Sequence, residues 1–187
     1  MENLRLFLAV TIDSQPLVAK LTQFQEQFDF QGIKLVEPNL FHFSIYFLGD
    51  TSTDLVSDLE EIISSINVAP FTAIIKGSGV FRNLQNITVI WAGLTTGTDE
   101  LNSIKNQMLD PLEKIGFQLN TRSSSHHLTL ARVKFLKPDV KKQVQSIITA
   151  NTEKDFGSQE ITQVHLMQST LTPTGPIYRS LFHKDLT

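Results

Sequence analysis

The chain contains no cysteine and no long hydrophobic run. Without cysteine among its 187 residues, it has no disulfide bonds, thiolate metal sites or cysteine nucleophiles. No apolar stretch comes near the roughly 20 residues that a membrane-spanning helix needs. The first residues do not resemble a signal peptide, because Glu2 precedes a short apolar stretch that ends at Asp13. These features predict a cytoplasmic protein with no membrane partner.

An excess of basic residues is also missing. The net charge is −3, from 16 lysines and arginines against 19 acidic residues. Proteins that coat nucleic acids are usually basic, so this class is disfavoured. A chain of this charge that binds RNA is expected to bind a small part of it, such as an end, through a local positive site.

Strand-like and helix-like segments alternate along the chain, and the strands are in the majority. Helices are predicted to begin near residues 14, 55, 98 and 138, with Pro111 kinking or ending the third. Short turns between several strands favour a mixed α+β fold with antiparallel sheets. No low-complexity linker divides the chain, so we expect one domain over residues 1–187. Strands are predicted at residues 4–12, 41–48, 71–76, 87–92, 127–135, 161–171 and 177–182.

One short pattern occurs twice: a histidine, an apolar residue, a hydroxyl residue and a second apolar residue. The copies are residues 42–45 (His-Phe-Ser-Ile) and residues 127–130 (His-Leu-Thr-Leu). Side chains alternate between the two faces of a strand, so each histidine shares a face with the hydroxyl two residues later. Two such strands facing each other bring two imidazoles and two hydroxyls into one cleft. The residues predicted to pack on the opposite face of the first strand are Phe41, Phe43, Ile45 and Phe47.

These side chains suit the hydrolysis of a phosphate ester. Attack of water on a cyclic phosphate requires a base for the water and an acid for the departing sugar oxygen. Histidine, with an unperturbed pKa of about 6.5, can serve in either role near neutral pH. Hydroxyls can stabilise the charge on the non-bridging phosphate oxygens. Half-buried histidines in strands are also common without catalysis, so a structural role stays open for each copy taken alone.

The two patterns resemble the signature tetrapeptides of the two-histidine (2H) phosphoesterases. Within that superfamily, the sequence is most similar to the RNA 2′,3′-cyclic phosphodiesterases, also called 2′-5′ RNA ligases. The similarity includes residues 5–10 (Arg-Leu-Phe-Leu-Ala-Val) and residues 175–178 (Gly-Pro-Ile-Tyr). It therefore extends in order over nearly the whole chain.

The resemblance implies a bilobal α+β fold with two antiparallel sheets, outer helices and pseudo-twofold symmetry about a central active-site cleft. It implies metal-independent hydrolysis, with no cofactor, of RNA 2′,3′-cyclic phosphate termini to 2′-phosphomonoesters. Reversible 2′-5′ RNA ligase activity is a further implied property. The implied partners are RNA 3′ ends or nucleoside 2′,3′-cyclic phosphates, and we expect a monomer. By resemblance, His42 is the proton donor to the leaving 3′ oxygen and His127 the proton acceptor that activates water.

Five further residues are predicted to contact the substrate. Arg132 corresponds to an arginine that follows the second signature in the family, but strict alternation puts it on the face opposite His127. It reaches the cleft only where the strand bends, bulges or ends. Phe7 by resemblance stacks on the terminal base, and Arg5 shares its face. The other two are the signature hydroxyls, Ser44 and Thr129.

The second signature leaves a choice between two adjacent histidines. His126 stands where the family commonly has proline. Its neighbour two residues later is Leu128, whereas His127 has Thr129 at that distance. The hydroxyl spacing therefore selects His127. In the first signature Ser44 stands where threonine is usual, and the hydroxyl is kept.

Two other classes of protein compete with this interpretation. A metal-dependent hydrolase is disfavoured, because neither signature histidine has a histidine or carboxylate at the spacing usual in metal sites. The second competing class is a non-catalytic module that has the same fold and binds RNA ends but does not catalyse the reaction. A third alternative keeps the chemistry but takes 2′-5′ linked oligonucleotides as the substrate.

Overall fold

The structure is a computed structural model that describes residues 2–118, 126–173 and 175–187. Within these ranges the chain forms nine strands and four α-helices. The helices are α1 (Gln15–Gln25), α2 (Val56–Ser64), α3 (Thr98–Lys114) and α4 (Pro138–Ala150). The strands are β1 (Asn3–Thr11), β2 (Ile33–Leu35), β3 (His42–Ser52), β4 (Phe71–Asn83), β5 (Asn86–Thr96), β6 (His127–Val133), β7 (Asp155–Ile161), β8 (Gln163–Thr172) and β9 (Gly175–Asp185).

The strands pair in the order β7-β4-β5-β6-β3-β1-β8-β9, with β2 added beside β6. Each observed pairing is antiparallel, which confirms the predicted mixed α+β fold. The two four-stranded halves meet at β6 and β3, where Phe43 lies opposite Leu128. The two predicted sheets are therefore continuous at this junction.

The order strand-helix-strand-helix occurs in β1-α1-β3-α2, where the short strand β2 is inserted between α1 and β3, and again in β5-α3-β6-α4. In each repeat the first helix packs across the junction. Helix α1 contacts β6 and β7, whereas α3 contacts β3. This exchange of helices holds the two halves together and keeps β3 and β6 at the centre.

Apolar residues at helical spacing attach α1 to the sheet. Leu17, Leu21 and Phe24 are each at most 2 % exposed. The ring of Phe24 lies 5.3 Å from that of Phe28 and 5.1 Å from that of Phe156. Burying a side chain of this kind contributes about 1.5–3 kcal/mol.

The structure corrects two element predictions and decides part of a third. Strand β7, which precedes the predicted strand at 161–171, was missed; its sequence is polar and glycine-containing because it pairs only with β4 at the sheet edge. Strand β4 continues past Lys76 to Asn83, with an irregularity near Gly77. Of the two outcomes predicted at Pro111, an end of α3 is excluded, because the helix continues to Lys114 and the fully buried Leu112 holds its last turn on the core. Thr174, in the turn between the last two strands, lies outside the described residues.

None of the helices in the described ranges combines the length and the hydrophobicity that crossing a membrane requires.

Candidate active site

The two signature histidines lie on neighbouring strands at the centre of the sheet. Phe43 of β3 is opposite Leu128 of β6, and the same antiparallel register puts His42 opposite Thr129 and Ser44 opposite His127. Neighbouring strands are about 4.8 Å apart. Each histidine therefore lies beside the hydroxyl of the other signature, and the four side chains line one cavity of about 850 Å³.

Beyond this junction the two strands separate, and β2 takes the place of β3 along β6. Strand β2 pairs with residues 131–133 of β6, from Ile33 opposite Val133 to Leu35 opposite Ala131. Residues of β2 and the segment after it, including Lys34 and Glu37, line the cavity on this side. The cleft thus opens where the two halves of the sheet stop pairing with each other.

A β-bulge in β6 determines the position of Arg132. Against β5, Thr129 is opposite Trp91 and Ala131 is opposite Ile90, so Leu130 is an extra residue. A bulge reverses the alternation that follows it. Leu130 and Ala131 are both fully buried, and Arg132 lines the cavity. The condition for Arg132 to reach the cleft is therefore met.

A bulge at the equivalent position of β3 corrects one prediction. Against β1, Ser44 is opposite Ala9 and Tyr46 is opposite Leu8, so Ile45 is the extra residue. The prediction that Phe47 packs opposite the histidine was wrong, because the bulge shifts the alternation. Phe47 lines the cavity and is 71 % exposed. It occupies in β3 the position that Arg132 occupies in β6.

A buried glutamine of α1 contacts the bulge in β6. The amide Nε2 of Gln25 donates to the carbonyl oxygens of Leu130 and Val36, both at 2.6 Å. The Leu130 oxygen also accepts from the backbone N–H of Val36 at 2.9 Å, and Gln25 is only 2 % exposed. Sequence reasoning missed this residue. The available signal was its spacing, since Gln25 continues the apolar series of Leu17 and Leu21 at intervals of four.

His42 is held by the backbone and by two aromatic rings. Its Nδ1 donates to the carbonyl oxygen of Leu40 at 2.7 Å, which leaves Nε2 for the cleft. The rings of Phe7 and Tyr178 lie 5.3 and 5.2 Å from the imidazole. Burial lowers the pKa of His42 below its usual value, and the bond to Leu40 opposes this. The positive charges of Arg132 and His127 lower that pKa further.

His127 packs against an aromatic residue that sequence reasoning did not select as a site residue. The ring of Phe81, in β4, meets the imidazole edge-on at 4.4 Å between centroids. Phe81 in turn lies 5.8 Å from the ring of Trp91. Trp91 lies directly over Gly79, where an added Cβ would come within 2.2 Å of the indole. The absence of a side chain at Gly79 thus lets Trp91 and Phe81 support the imidazole.

His126 does not line the cavity. It is 7 % exposed, and its Nε2 donates to Oδ1 of Asn102 in α3 at 3.0 Å. Since α3 packs on the face of the sheet away from the cleft, the two adjacent histidines point to opposite sides. The hydroxyl spacing that selected His127 agrees with this arrangement.

All seven predicted site residues line the cavity, although their roles stay predictions. Phe7 is only 4 % exposed, because its ring is covered by His42, Phe47 and Tyr178. The seven are Arg5, Phe7, His42, Ser44, His127, Thr129 and Arg132.

Three cationic side chains give the cavity a local positive charge. Arg5, Lys34 and Arg132 line it together with one acidic residue, Glu37. Among the described residues, an ion pair joins Lys76 to Glu153 and none involves these three cations. A chain with a net charge of −3 thus presents unpaired positive charges in its central cleft, which favours a phosphate ligand.

Within residues 2–118, 126–173 and 175–187, no group of three histidine, aspartate or glutamate side chains is arranged to hold a metal ion.

Comparisons with known proteins identify the class. The family model of the AKAP7 2′5′ RNA ligase-like domain matches residues 5–183. A protein of Archaeoglobus fulgidus named RNA 2′,3′-cyclic phosphodiesterase is 33 % identical over 178 residues, covering 95 % of this chain and 98 % of that protein. A protein of the same name from Methanocaldococcus jannaschii is 37 % identical over 176 residues, covering 94 % of this chain and 96 % of that protein.

Solved structures share the fold. A Thermus thermophilus protein superposes with a TM-score of 0.82 at 24 % identity, with 97 % of both chains covered. LigT of E. coli, solved with 3′-AMP, gives a TM-score of 0.78 at 19 % identity, with 100 % of this chain and 99 % of LigT covered. The chain therefore belongs to the family of 2′5′ RNA ligase-like domains, within the 2H phosphoesterases that its two signatures resemble.

Proposed function

We propose that this protein hydrolyses RNA 2′,3′-cyclic phosphate termini to 2′-phosphomonoesters by metal-independent acid–base catalysis. The observation that carries the proposal is the register of β3 and β6, which sets each histidine beside the hydroxyl of the other signature. The unpaired cations of the same cavity suit a phosphate. The names of the Archaeoglobus and Methanocaldococcus relatives support the choice of substrate.

In the proposed reaction, His127 accepts a proton from water as the water oxygen attacks phosphorus. The bond from phosphorus to the 3′ oxygen breaks, and His42 donates a proton to that oxygen. The product is a 2′-phosphomonoester with a free 3′ hydroxyl. Ser44 and Thr129 donate hydrogen bonds to the non-bridging oxygens. The guanidinium of Arg132 stabilises the negative charge that these oxygens gain in the transition state.

The proposed donor role of His42 depends on the substrate's charge. In the free protein, burial and the charges of Arg132 and His127 lower the pKa of His42, which favours the neutral imidazole. A phosphate anion bound at Arg132 offsets the guanidinium charge and raises the pKa of His42 again. The proton that the leaving oxygen needs is then held at Nε2, while Nδ1 stays bonded to Leu40.

The test is product analysis on an RNA that ends in a 2′,3′-cyclic phosphate. Wild-type protein is expected to give only the 2′-phosphate, with the same rate in EDTA. Because general acid–base catalysis contributes about 10²–10⁴-fold, His42→Ala and His127→Ala are each expected to lose activity on this scale. His183→Ala is the matched control, since His183 is exposed and does not line the cavity.

Three results would contradict the proposal. Unchanged turnover by both histidine variants would show that the pair is not catalytic. Loss of activity in EDTA with recovery on adding a metal ion would show that the reaction depends on a metal. A 3′-phosphate product would show that the 2′ oxygen, and not the 3′ oxygen, is the leaving group. Incubating the cyclic-phosphate RNA with an RNA that has a free 5′ hydroxyl tests for 2′-5′ joining, in which that hydroxyl replaces water as the attacking group.

We also propose that residues 1–187 act as one domain and as a monomer. Two observations support the single domain. Each half of the sheet contributes one signature strand to the cavity, and the buried apolar residues of both halves form a single cluster. Light scattering of the active protein tests it, and a mass of twice 21.0 kDa would contradict the monomer.

A further inference from the structure

Large apolar side chains are exposed at the mouth of the cleft. The three most exposed in the described part of the chain are Phe47 at 71 %, Leu171 at 67 % and Ile177 at 60 %. All three line the cavity that holds the histidines. A single exposed apolar residue is ordinary, but several around one cavity indicate a binding surface.

The strand register puts this apolar surface beyond the histidines rather than between them. Phe7 lies opposite Phe47 on one side and Met167 on the other. Arg5 of β1 also lines the cavity and lies farther from His42 along the strand. Leu171 and Ile177 lie in the β8–β9 hairpin, close to its tip. A ligand whose phosphate lies between the histidines can therefore extend past Phe47 towards the hairpin.

The floor of this extension is open. Gly49 lines the cavity two residues after Phe47, and a Cβ added there would meet no atom within 4 Å. The guanidinium of Arg5 lies along the same path without an ion pair in the described residues. The region thus combines an exposed aromatic ring, free space and a cation. These are the elements that hold a nucleotide of a single-stranded RNA, whose base stacks and whose phosphate is charged.

We propose that Phe47, Leu171 and Ile177, with Arg5, form a subsite for the penultimate nucleotide of an RNA 3′ end. The penultimate base stacks on Phe47, and Arg5 contacts the phosphate that joins the last two nucleotides. The protein therefore prefers RNA ends to mononucleotides. This inference rests on the proposed function, because the cyclic phosphate must lie between the two histidines.

Phe47 is better placed than Phe7 to stack on a base. Phe7 is 4 % exposed and is covered by three rings, whereas Phe47 presents most of its surface to solvent. The subsite is expected to improve kcat/KM by about tenfold. A factor of ten corresponds to about 1.4 kcal/mol, which is within what stacking of one base on an aromatic side chain contributes.

The experiment compares a nucleoside 2′,3′-cyclic phosphate with a dinucleotide that ends in the same group. Wild-type protein is expected to turn over the dinucleotide with a kcat/KM about tenfold higher. Phe47→Ala is expected to remove most of this preference, and Phe47→Trp to retain it. Phe135→Ala is the matched control, because Phe135 is 51 % exposed but does not line the cavity.

The affinities of the two products, the nucleoside 2′-phosphate and the dinucleotide 2′-phosphate, are measured by calorimetry. A dinucleotide preference in binding that depends on Phe47 supports the subsite even if neither substrate is hydrolysed, a result that would refute the proposed function alone. Equal kcat/KM and equal affinity for both lengths would overturn the subsite and leave the proposed function intact. An equal loss on both substrates in Phe47→Ala would also overturn it.

Discussion

Replacing Gln25 with methionine tests whether the bulge in β6 positions the cleft arginine. Gln25 is 2 % exposed, and its amide donates to the carbonyl oxygens of Leu130 and Val36 at 2.6 Å. Methionine has a similar length and volume but no hydrogen-bond donor. The change therefore removes two hydrogen bonds and leaves the packing of α1 on the sheet nearly unchanged.

The expected loss of stability follows from the partners that remain. One intramolecular hydrogen bond contributes about 0.5–1.5 kcal/mol net, so losing two costs about 1–3 kcal/mol. The Leu130 oxygen keeps its bond from the N–H of Val36, which limits the cost at that carbonyl. For a domain of this size, 1 kcal/mol shifts Tm by about 2–4 °C. Gln25→Met is therefore expected to lower Tm by about 2–12 °C.

Urea unfolding followed by circular dichroism measures the change in the free energy of unfolding. Gln145→Met is the matched control, because Gln145 is half-buried and donates one solvent-exposed bond of the same length, 2.6 Å, to the carbonyl of Leu84. A substitution near the surface changes stability by about 0.5 kcal/mol or less. The difference between the two variants isolates the contribution of the buried amide.

Activity distinguishes support of the bulge from general stabilisation. If Gln25 acts by positioning Arg132, Gln25→Met lowers kcat/KM even when it is assayed at temperatures below the Tm of the variant, where the protein is folded. It then has little further effect in an Arg132→Gln background, because the two changes remove the same interaction. Additive losses of activity would refute this coupling. A variant with the stability and activity of the wild type would refute the structural reasoning as a whole.

Three further predictions concern packing, pH and metal ions. Gly79→Ala is expected to displace Trp91, since Gly79 has no positive φ and the added Cβ meets the indole. This costs about 1–3 kcal/mol, and a fluorescence spectrum of the single tryptophan that stays unchanged would contradict it. Burial is the largest cause of the lowered pKa values of His42, His126 and His165. Below about pH 6.5 the unfolded chain therefore binds more protons than the folded protein, and stability falls on acidification. The urea midpoint at pH 5.5 is therefore expected below that at pH 7.5, and an equal or higher midpoint would refute this. Dialysis against EDTA is expected to leave the midpoint unchanged, and a lower one would reveal a bound metal.

The sequence alone predicted the parts of the candidate site that depend on local alternation. Each histidine shares a face with the hydroxyl two residues later, and this spacing distinguished His127 from His126, which contacts Asn102 on the other face. Local alternation no longer predicts the face on which a side chain lies once a bulge has added a residue. Leu130 is an ordinary apolar residue in the sequence, and only its pairing with β5 makes it an extra residue.

Residues that act through tertiary contacts were harder to find. Gln25 is about a hundred positions from Leu130 in the sequence, and no local pattern links them. The same holds for Phe81, which meets His127 only because β4, β5 and β6 are neighbours in the sheet. Strand β7 was missed because an edge strand pairs on one side only, and it needs fewer apolar residues than a central strand.

The two bulges explain how a nearly symmetric junction becomes an asymmetric site. Both signature strands gain an extra residue directly after the hydroxyl, at Ile45 in β3 and at Leu130 in β6. In both strands the residue three positions after the hydroxyl therefore turns into the cleft. That residue is Phe47 in β3 and Arg132 in β6. The first bulge is thus the same on both sides, and the side chains that it turns into the cleft differ: a cation that suits a phosphate on one side, and an aromatic ring that suits a base on the other. Exchanging the two side chains, as Phe47→Arg with Arg132→Phe, would keep the symmetry of the backbone and reverse that polarity.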